Sequence, residues 1–223
     1  MCYTPLLSLS TAIIEYGLAA LAFRYHRTRF RDLLITSLVL LATYQITEYM
    51  FCTTSNDAWI VVGFIAYTFL PAVGVHTCIR FAKKAVELDR IYVLPAWFSF
   101  TALIANPFVI NASCLKYLLF VDHLYTVLDG TKIIPTLGYI AYYGSFVLYG
   151  YYLLSQETHD LQKRRVANIL IVGLGIATVP AILIYFLRPY VPFPSLWCQF
   201  ALTYAVACFA SIHLESRLKK PFF

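Results

Sequence analysis

Charge is scarce in this chain. Asp, Glu, Lys and Arg make up only 13% of its 223 residues and hydrophobic types 61%, a balance that leaves too little polar surface to wet a soluble core. A bilayer is the solvent that fits. No polar tract between the apolar runs is large enough for a soluble catalytic or output domain, so residues 1–223 read as a single domain. Nothing basic precedes the first apolar run, Glu15 interrupts it and an Arg cluster follows it. That order is not that of a cleavable leader, and it predicts an anchor retained in the mature protein. The formal charge is +6, yet no basic stripe with interleaved aromatics accompanies it, which argues against nucleic acid as a partner. Tandem repeats and low-complexity tracts are absent. Neither Cys-x-x-Cys nor His-x-x-x-His occurs, so no single turn supplies two zinc ligands, and no cofactor is predicted beyond a metal ion kept as an alternative.

What the chain does contain is seven long apolar stretches, at about 5–23, 33–52, 58–81, 91–111, 133–155, 166–187 and 195–214, each near the roughly 20 residues that a hydrocarbon core requires. Fourteen of the seventeen Lys and Arg residues fall in alternate gaps: Arg24, Arg27, Arg29 and Arg31; Arg80, Lys83, Lys84 and Arg90; Lys163, Arg164 and Arg165; and Arg217, Lys219 and Lys220. Only Lys116, Lys132 and Arg188 occupy the others. Short basic loops stay cytoplasmic. The pattern therefore predicts an all-α, polytopic membrane bundle of seven transmembrane helices, N-terminus outside and C-terminus cytoplasmic, in the cell membrane. Residues 112–132 form the one sizeable outer gap. Asp129-Gly130 between β-prone runs predicts a small extracytoplasmic hairpin between helices 4 and 5, with a short amphipathic helix as the alternative. Pro71 predicts a kink in the third stretch. In the fifth, Ala141 and Ser145 form a small-xxx-small pair of the kind used for close helix approach. The tyrosines of that stretch, Tyr139, Tyr142, Tyr143, Tyr149, Tyr151 and Tyr152, read mainly as packing and interface residues.

A charge deep in a bilayer costs about 2.5–3.5 kcal/mol, so intramembrane ionisable residues mark candidate sites. Three qualify. At 1.5 Å per residue, Glu15 lies near the midplane, Glu48 roughly 8 Å toward the outside and His76 roughly 10 Å toward the inside. Tyr44, Gln45, Glu48 and Cys52 share one stripe of the second stretch. Cys198 and Gln199 open the seventh at nearly the same depth, and Asp122 and His123 lie in the outer gap. Gln45, Glu48, Asp122, His123, Cys198 and Gln199 could thus bind a ligand, although Gln45, Glu48 and Gln199 could equally hydrogen-bond across helices as structural glue. Glu15 and His76 could form a proton relay, with His76 as a hydrogen-bonded core residue the competing reading. Cys2, Cys52, Cys114 and Cys198 face outside, where disulfides form, but four cysteines allow three pairings. Packing thiols and a metal site stay open beside the disulfide. Removal of Met1 would place an α-amine beside the Cys2 thiol, a chelating or nucleophilic pair. Asn111-Ala-Ser113 matches a glycosylation acceptor.

The opening Met1-Cys2-Tyr3-Thr4, Gln45-Ile-Thr-Glu48 in the second stretch and Ser195-Leu-Trp-Cys198 in the seventh resemble an uncharacterised family of bacterial seven-helix membrane proteins. Its members open Met-Cys-Phe-Ser, carry Gln-x-x-Glu-Gly and end with a Ser-x-Trp-Cys helix. The chain departs from that pattern at Tyr3, Thr4 and Tyr49. The resemblance implies seven helices in a bacterial inner membrane and no particular activity. A looser similarity, carried by Phe69-Leu-Pro71, Asn106-Pro107 and the Tyr-rich fifth stretch before Lys163-Arg-Arg165, runs to the seven-helix sensor region of some histidine kinases. It implies that any signalling passes to a separate partner. The seventh stretch has no Lys of the kind that carries retinal, and the His- and Asp-bearing motifs of zinc-dependent seven-helix amidases are missing.

The leading expectation is therefore a ligand- or ion-binding, sensor-like module with an outward-facing polar pocket. The alternative is a membrane-embedded enzyme acting on a lipid or isoprenoid substrate, with Glu48 or Glu15 as acid or base and a metal as an optional partner. A small transporter stands third.

Overall fold

A computed structural model describes residues 4–82, 89–105, 112–113, 116–117, 133–156, 160–187 and 193–217. Among them seven long helices carry the fold: α1 (Thr4–Ala22), α2 (Arg29–Thr54), α3 (Ala58–Phe81), α4 (Asp89–Ala105), α5 (Ile133–Ser155), α6 (Leu161–Leu187) and α7 (Phe193–Ser216). Between α4 and α5 the antiparallel strands β1 (Ala112–Ser113) and β2 (Lys116–Tyr117) pair Ala112 with Tyr117 and Ser113 with Lys116. This short ladder lies in the gap where a hairpin is predicted; the Asp129-Gly130 turn itself falls outside the described residues.

Several helices outrun their apolar stretches, because polar caps extend them at the basic end of the bundle. Thr28 caps α2, its hydroxyl accepting the Arg31 N–H at 3.0 Å, so Arg29 and Arg31 belong to the first turn of the helix and not to a loop. The Asp160 carboxylate likewise accepts the Gln162 N–H at 2.9 Å and starts α6 five residues before the predicted boundary, bringing Lys163, Arg164 and Arg165 into helix. At the other end α2 stops at Ser55, whose N–H still donates to the Phe51 carbonyl at 2.8 Å while its left-handed φ of 52° turns the chain out of the helix. Helix α3 continues on both sides of Pro71.

Helix α2 is central, packed against α1, α3 and α7; α3 also meets α4 and α5, while α6 joins α5 to α7 and α7 returns to α1. One core cluster runs through Leu34, Leu38, Ala72, Ile79, Leu153, Leu170, Ala205 and Ile212. A second, nearly all aromatic, gathers Tyr44, Phe64, Tyr67, Phe98, Tyr139 and Tyr142. There Tyr67 stacks on Tyr143 at 4.7 Å, and Phe98 of α4 meets Tyr139 edge-on at 5.2 Å. The Tyr142 hydroxyl donates to the Thr68 carbonyl at 2.7 Å, so the aromatic face of α5 is keyed to α3 by a hydrogen bond as well as by area. This accounts for Tyr139, Tyr142 and Tyr143 as packing residues, whereas Tyr149 and Tyr152 are exposed.

The expected close approach at Ala141 and Ser145 is not made. Both are exposed, because α5 turns its Tyr139, Tyr142, Phe146 and Gly150 stripe inward. The tight contact lies instead between α6 and α7, where a Cβ placed on Gly173 would overlap that of Ala207.

Large apolar side chains also cover the outside of the bundle, among them Leu6, Ile13, Trp97, Phe100, Ile104, Leu148, Val172 and Val206. Among the described residues two helices, α2 and α3, are long and apolar enough to cross a membrane, and α1 and α4 contain shorter apolar helices.

Candidate functional site

Ser8, Thr11, Glu15, Ala19 and Ala22 recur every three or four residues on α1 and form its buried face. On α2 the corresponding face carries Leu38, Leu41, Ala42, Gln45 and Glu48. The two helices run antiparallel, and the register between them is marked by the Ser8 hydroxyl donating to Glu48 Oε2 at 3.0 Å and by Tyr16 and Thr43 joining hydroxyls at 3.0 Å. Gln45 therefore stands one turn below the Ser8–Glu48 bond, and Glu15 about 10 Å below Ser8. The result is a polar column of Ser8, Glu48, Gln45 and Glu15 along an otherwise apolar seam.

Within that column the partners run out. Glu15 and Gln45 are both 0% exposed, yet among the described residues neither carboxyl oxygen of Glu15 and neither amide atom of Gln45 has a hydrogen-bond partner. An unsatisfied buried polar group costs about 1–3 kcal/mol. Sequence depth alone identified Glu15 and Glu48; Ser8 and Thr11 escaped notice, although their spacing to Glu15 was a signal.

Helix α7 forms the third wall. Cys208 lies within electrostatic reach of Glu15, and the Tyr204 hydroxyl faces both Cys208 and Ser37 of α2. α1 and α7 run in the same direction, joined below by Tyr25 and His213, whose hydroxyl and Nδ1 are 2.9 Å apart. Counting back along the two helices places the Gln199 backbone level with residues near Thr11, at the height of Gln45. The Cys198 and Gln199 side chains lie outside the described residues, as do Cys2, Cys114, Asp122 and His123, so the outer half of the predicted pocket is represented by Gln45 and Glu48 alone.

The remaining candidates separate. The ring of His76 engages Tyr92 of α4 at 2.7 Å through Nδ1 and accepts from Arg80 Nε at 3.5 Å through Nε2. It thus faces α4, while Glu15 faces α2 and α7, and the structure does not join the two into a relay. Cys52 is disulfide-bonded, with its partner outside the described residues, whereas Cys78 and Cys208 are free and buried. Among the described residues no group of three His, Cys, Asp or Glu side chains converges to hold a metal ion.

At the basic end a second polar cluster ties the loop after α1 to the end of α7. Besides capping α2, Thr28 donates its hydroxyl proton to Glu215 Oε2 at 3.0 Å. Arg31, buried despite its charge, donates to the Tyr25 carbonyl and pairs with Asp32 at 2.6 Å. A change in the spacing of α1, α2 and α7 at the polar column would be felt here, because the same three helices meet in both places. Comparison with protein-family models, with curated proteins and with solved structures found no match to this chain.

Proposed function

We propose that this is a seven-span integral protein of the cell membrane that binds a small cation in the polar column between α1, α2 and α7 and passes the binding event to a separate signalling or enzyme partner. The observation that carries the reading is a pair of fully buried side chains, Glu15 and Gln45, that have no hydrogen-bond partner among the described residues. They weaken the fold as they stand, and a ligand with donors for the carboxylate and the amide oxygen would repay that cost. The oxygens that would face the cation are strung along the column and not gathered at a point, so ammonium and short alkylammonium ions, which donate N–H bonds to them, suit it as well as a bare metal ion.

Three features support placement in a bilayer. α2 and α3 have membrane length and apolarity, and large apolar side chains lie on the exterior of α1, α4, α5 and α6, with Val206 on that of α7. The basic residues cluster at one end of the bundle, which orients that end toward the cytoplasm. Cys52, at the opposite end of α2, is disulfide-bonded, which fits an oxidising exterior on that side. Epitope tags inserted separately at residues 25–28 and 55–57 read this orientation in intact cells. Only the tag at 55–57 is expected to bind antibody before permeabilisation; the reverse pattern would invert the topology.

The binding reading is tested in lipid nanodiscs by following the thermal midpoint at fixed ionic strength with Na⁺, K⁺, Mg²⁺, Ca²⁺, ammonium and methylammonium. Binding at 100 times Kd adds about 2.7 kcal/mol of stability. One cation class is expected to raise the midpoint of the wild type by several degrees and to lose most of that effect in Glu48→Gln, which keeps shape and folding. A flat wild-type response to the whole panel would sink the proposal.

A second reading, a membrane-embedded enzyme with Glu15 as acid or base on a lipid substrate, draws on one observation: the Tyr204 hydroxyl and the Cys208 thiol stand on the helix facing Glu15.

A further inference from the structure

A cavity of about 70 Å³ open to water-sized molecules lies among α2, α3, α5, α6 and α7. One water needs about 10–15 Å³ of such space, so several groups of that size fit. The cavity borders a long stretch of two helices. Its lining runs from Leu70 to Cys78 on α3 and from Leu170 to Thr178 on α6, about 12 Å along each helix.

Its hydroxyls are already engaged. Thr77 donates to the Val73 carbonyl at 2.8 Å, Thr178 to the Leu174 carbonyl at 2.8 Å, Tyr143 pairs with Tyr67, and Tyr204 faces Ser37 and Cys208. An occupant is therefore offered apolar surface and few free hydrogen bonds. Two helix-interior glycines face the space. A Cβ on Gly74 would meet nothing within 4 Å, and one on Gly150 only Cys78 Sγ at 3.6 Å. Alanine would fit at either position and favour the helix more, so these positions hold the space open at a cost to local helix stability.

We propose that this cavity takes a single hydrocarbon chain, an acyl or prenyl group, inserted lengthwise between α3, α5 and α6. A lining that follows α3 and α6 for about 12 Å suits a chain lying along the helices, and hydroxyls whose hydrogen bonds are taken up favour hydrocarbon over a polar molecule. The inference rests on the membrane placement above, since a bilayer supplies such chains, but not on the cation site.

The test uses the full chain in nanodiscs doped, in separate samples, with a phospholipid carrying a diazirine on its acyl chain and with a diazirine-bearing prenol. Cross-linked residues are identified by mass spectrometry. In the wild type, adducts are expected on interior residues such as Leu70, Leu170 and Leu174 as well as on the exposed Leu148 and Val172. Gly74→Leu and Gly150→Leu, each filling the cavity from a different helix, should lower the interior adducts about tenfold, equivalent to about 1.4 kcal/mol, and leave the exterior ones intact. The sample that labels the interior tells acyl from prenyl. Exterior adducts with a silent interior in both samples, or interior adducts undiminished in whichever variants remain folded, would overturn the proposal. Loss of the exterior adducts would instead overturn the membrane placement.

Discussion

Glu15→Met raises the thermal midpoint of the protein and abolishes its response to cations. The carboxyl is fully buried and has no partner among the described residues, so its removal takes away a desolvated polar group without breaking a bond to any of them. Methionine keeps most of the volume and adapts to the apolar seam beside Ala12 and Ala19. Replacing buried charged groups by apolar ones of similar size has stabilised proteins by about 1–4 kcal/mol, and the same range is expected here. Glu15→Ala separates volume from polarity, because the void it leaves offsets the gain. Midpoints of the three proteins, with and without the active cation, decide the matter. If the Met variant is less stable than wild type by more than about 1 kcal/mol, Glu15 holds the bundle together and the column is structural glue.

The largest loss is expected at Gly173. Its missing side chain lets α6 approach α7 so closely that a Cβ would overlap that of Ala207, with the Thr203 carbonyl 3.5 Å away. Neither neighbour is the free end of a flexible chain, so the helices themselves must part. Gly173→Ala should cost about 1–3 kcal/mol, in the range of overpacked cores. Gly173→Leu should prevent α6 and α7 from docking, which size-exclusion chromatography would show as aggregation. The compensating change Ala207→Gly is expected to restore most of the stability of Gly173→Ala, because it vacates the space the new methyl needs. A Gly173→Ala midpoint equal to wild type would show that the two helices have slack at this point.

These two residues also show how far the sequence could be read. Glu15 and Glu48 stood out because a carboxyl in an apolar run is conspicuous whatever it faces. Ser8, their neighbour on the same column, did not, since serine is unremarkable in such a run until α1 is set against α2. Ala141 and Ser145 had the spacing of a close helix contact and proved exposed, while the contact that exists pairs a glycine and an alanine thirty-four positions apart. Small residues at one spacing are common, and only the neighbour across the gap makes them a contact. His76 was conspicuous for the same reason as Glu15, but its ring is satisfied by Tyr92 and Arg80 one helix away from any carboxyl in the column.

Along the chain, apolar length, polar caps and the clustering of basic residues are local properties, and they determined seven helical segments with charge gathered at one end. Which face meets which depends on register between segments far apart in sequence. A periodic pattern shows that a face is buried without showing against what. Only the tertiary structure decided that Glu48 has Ser8, that Glu15 and Gln45 have no partner among the described residues, and that Gly74 and Gly150 border a common space: each is a relation between two helices, set by packing and carried by neither alone.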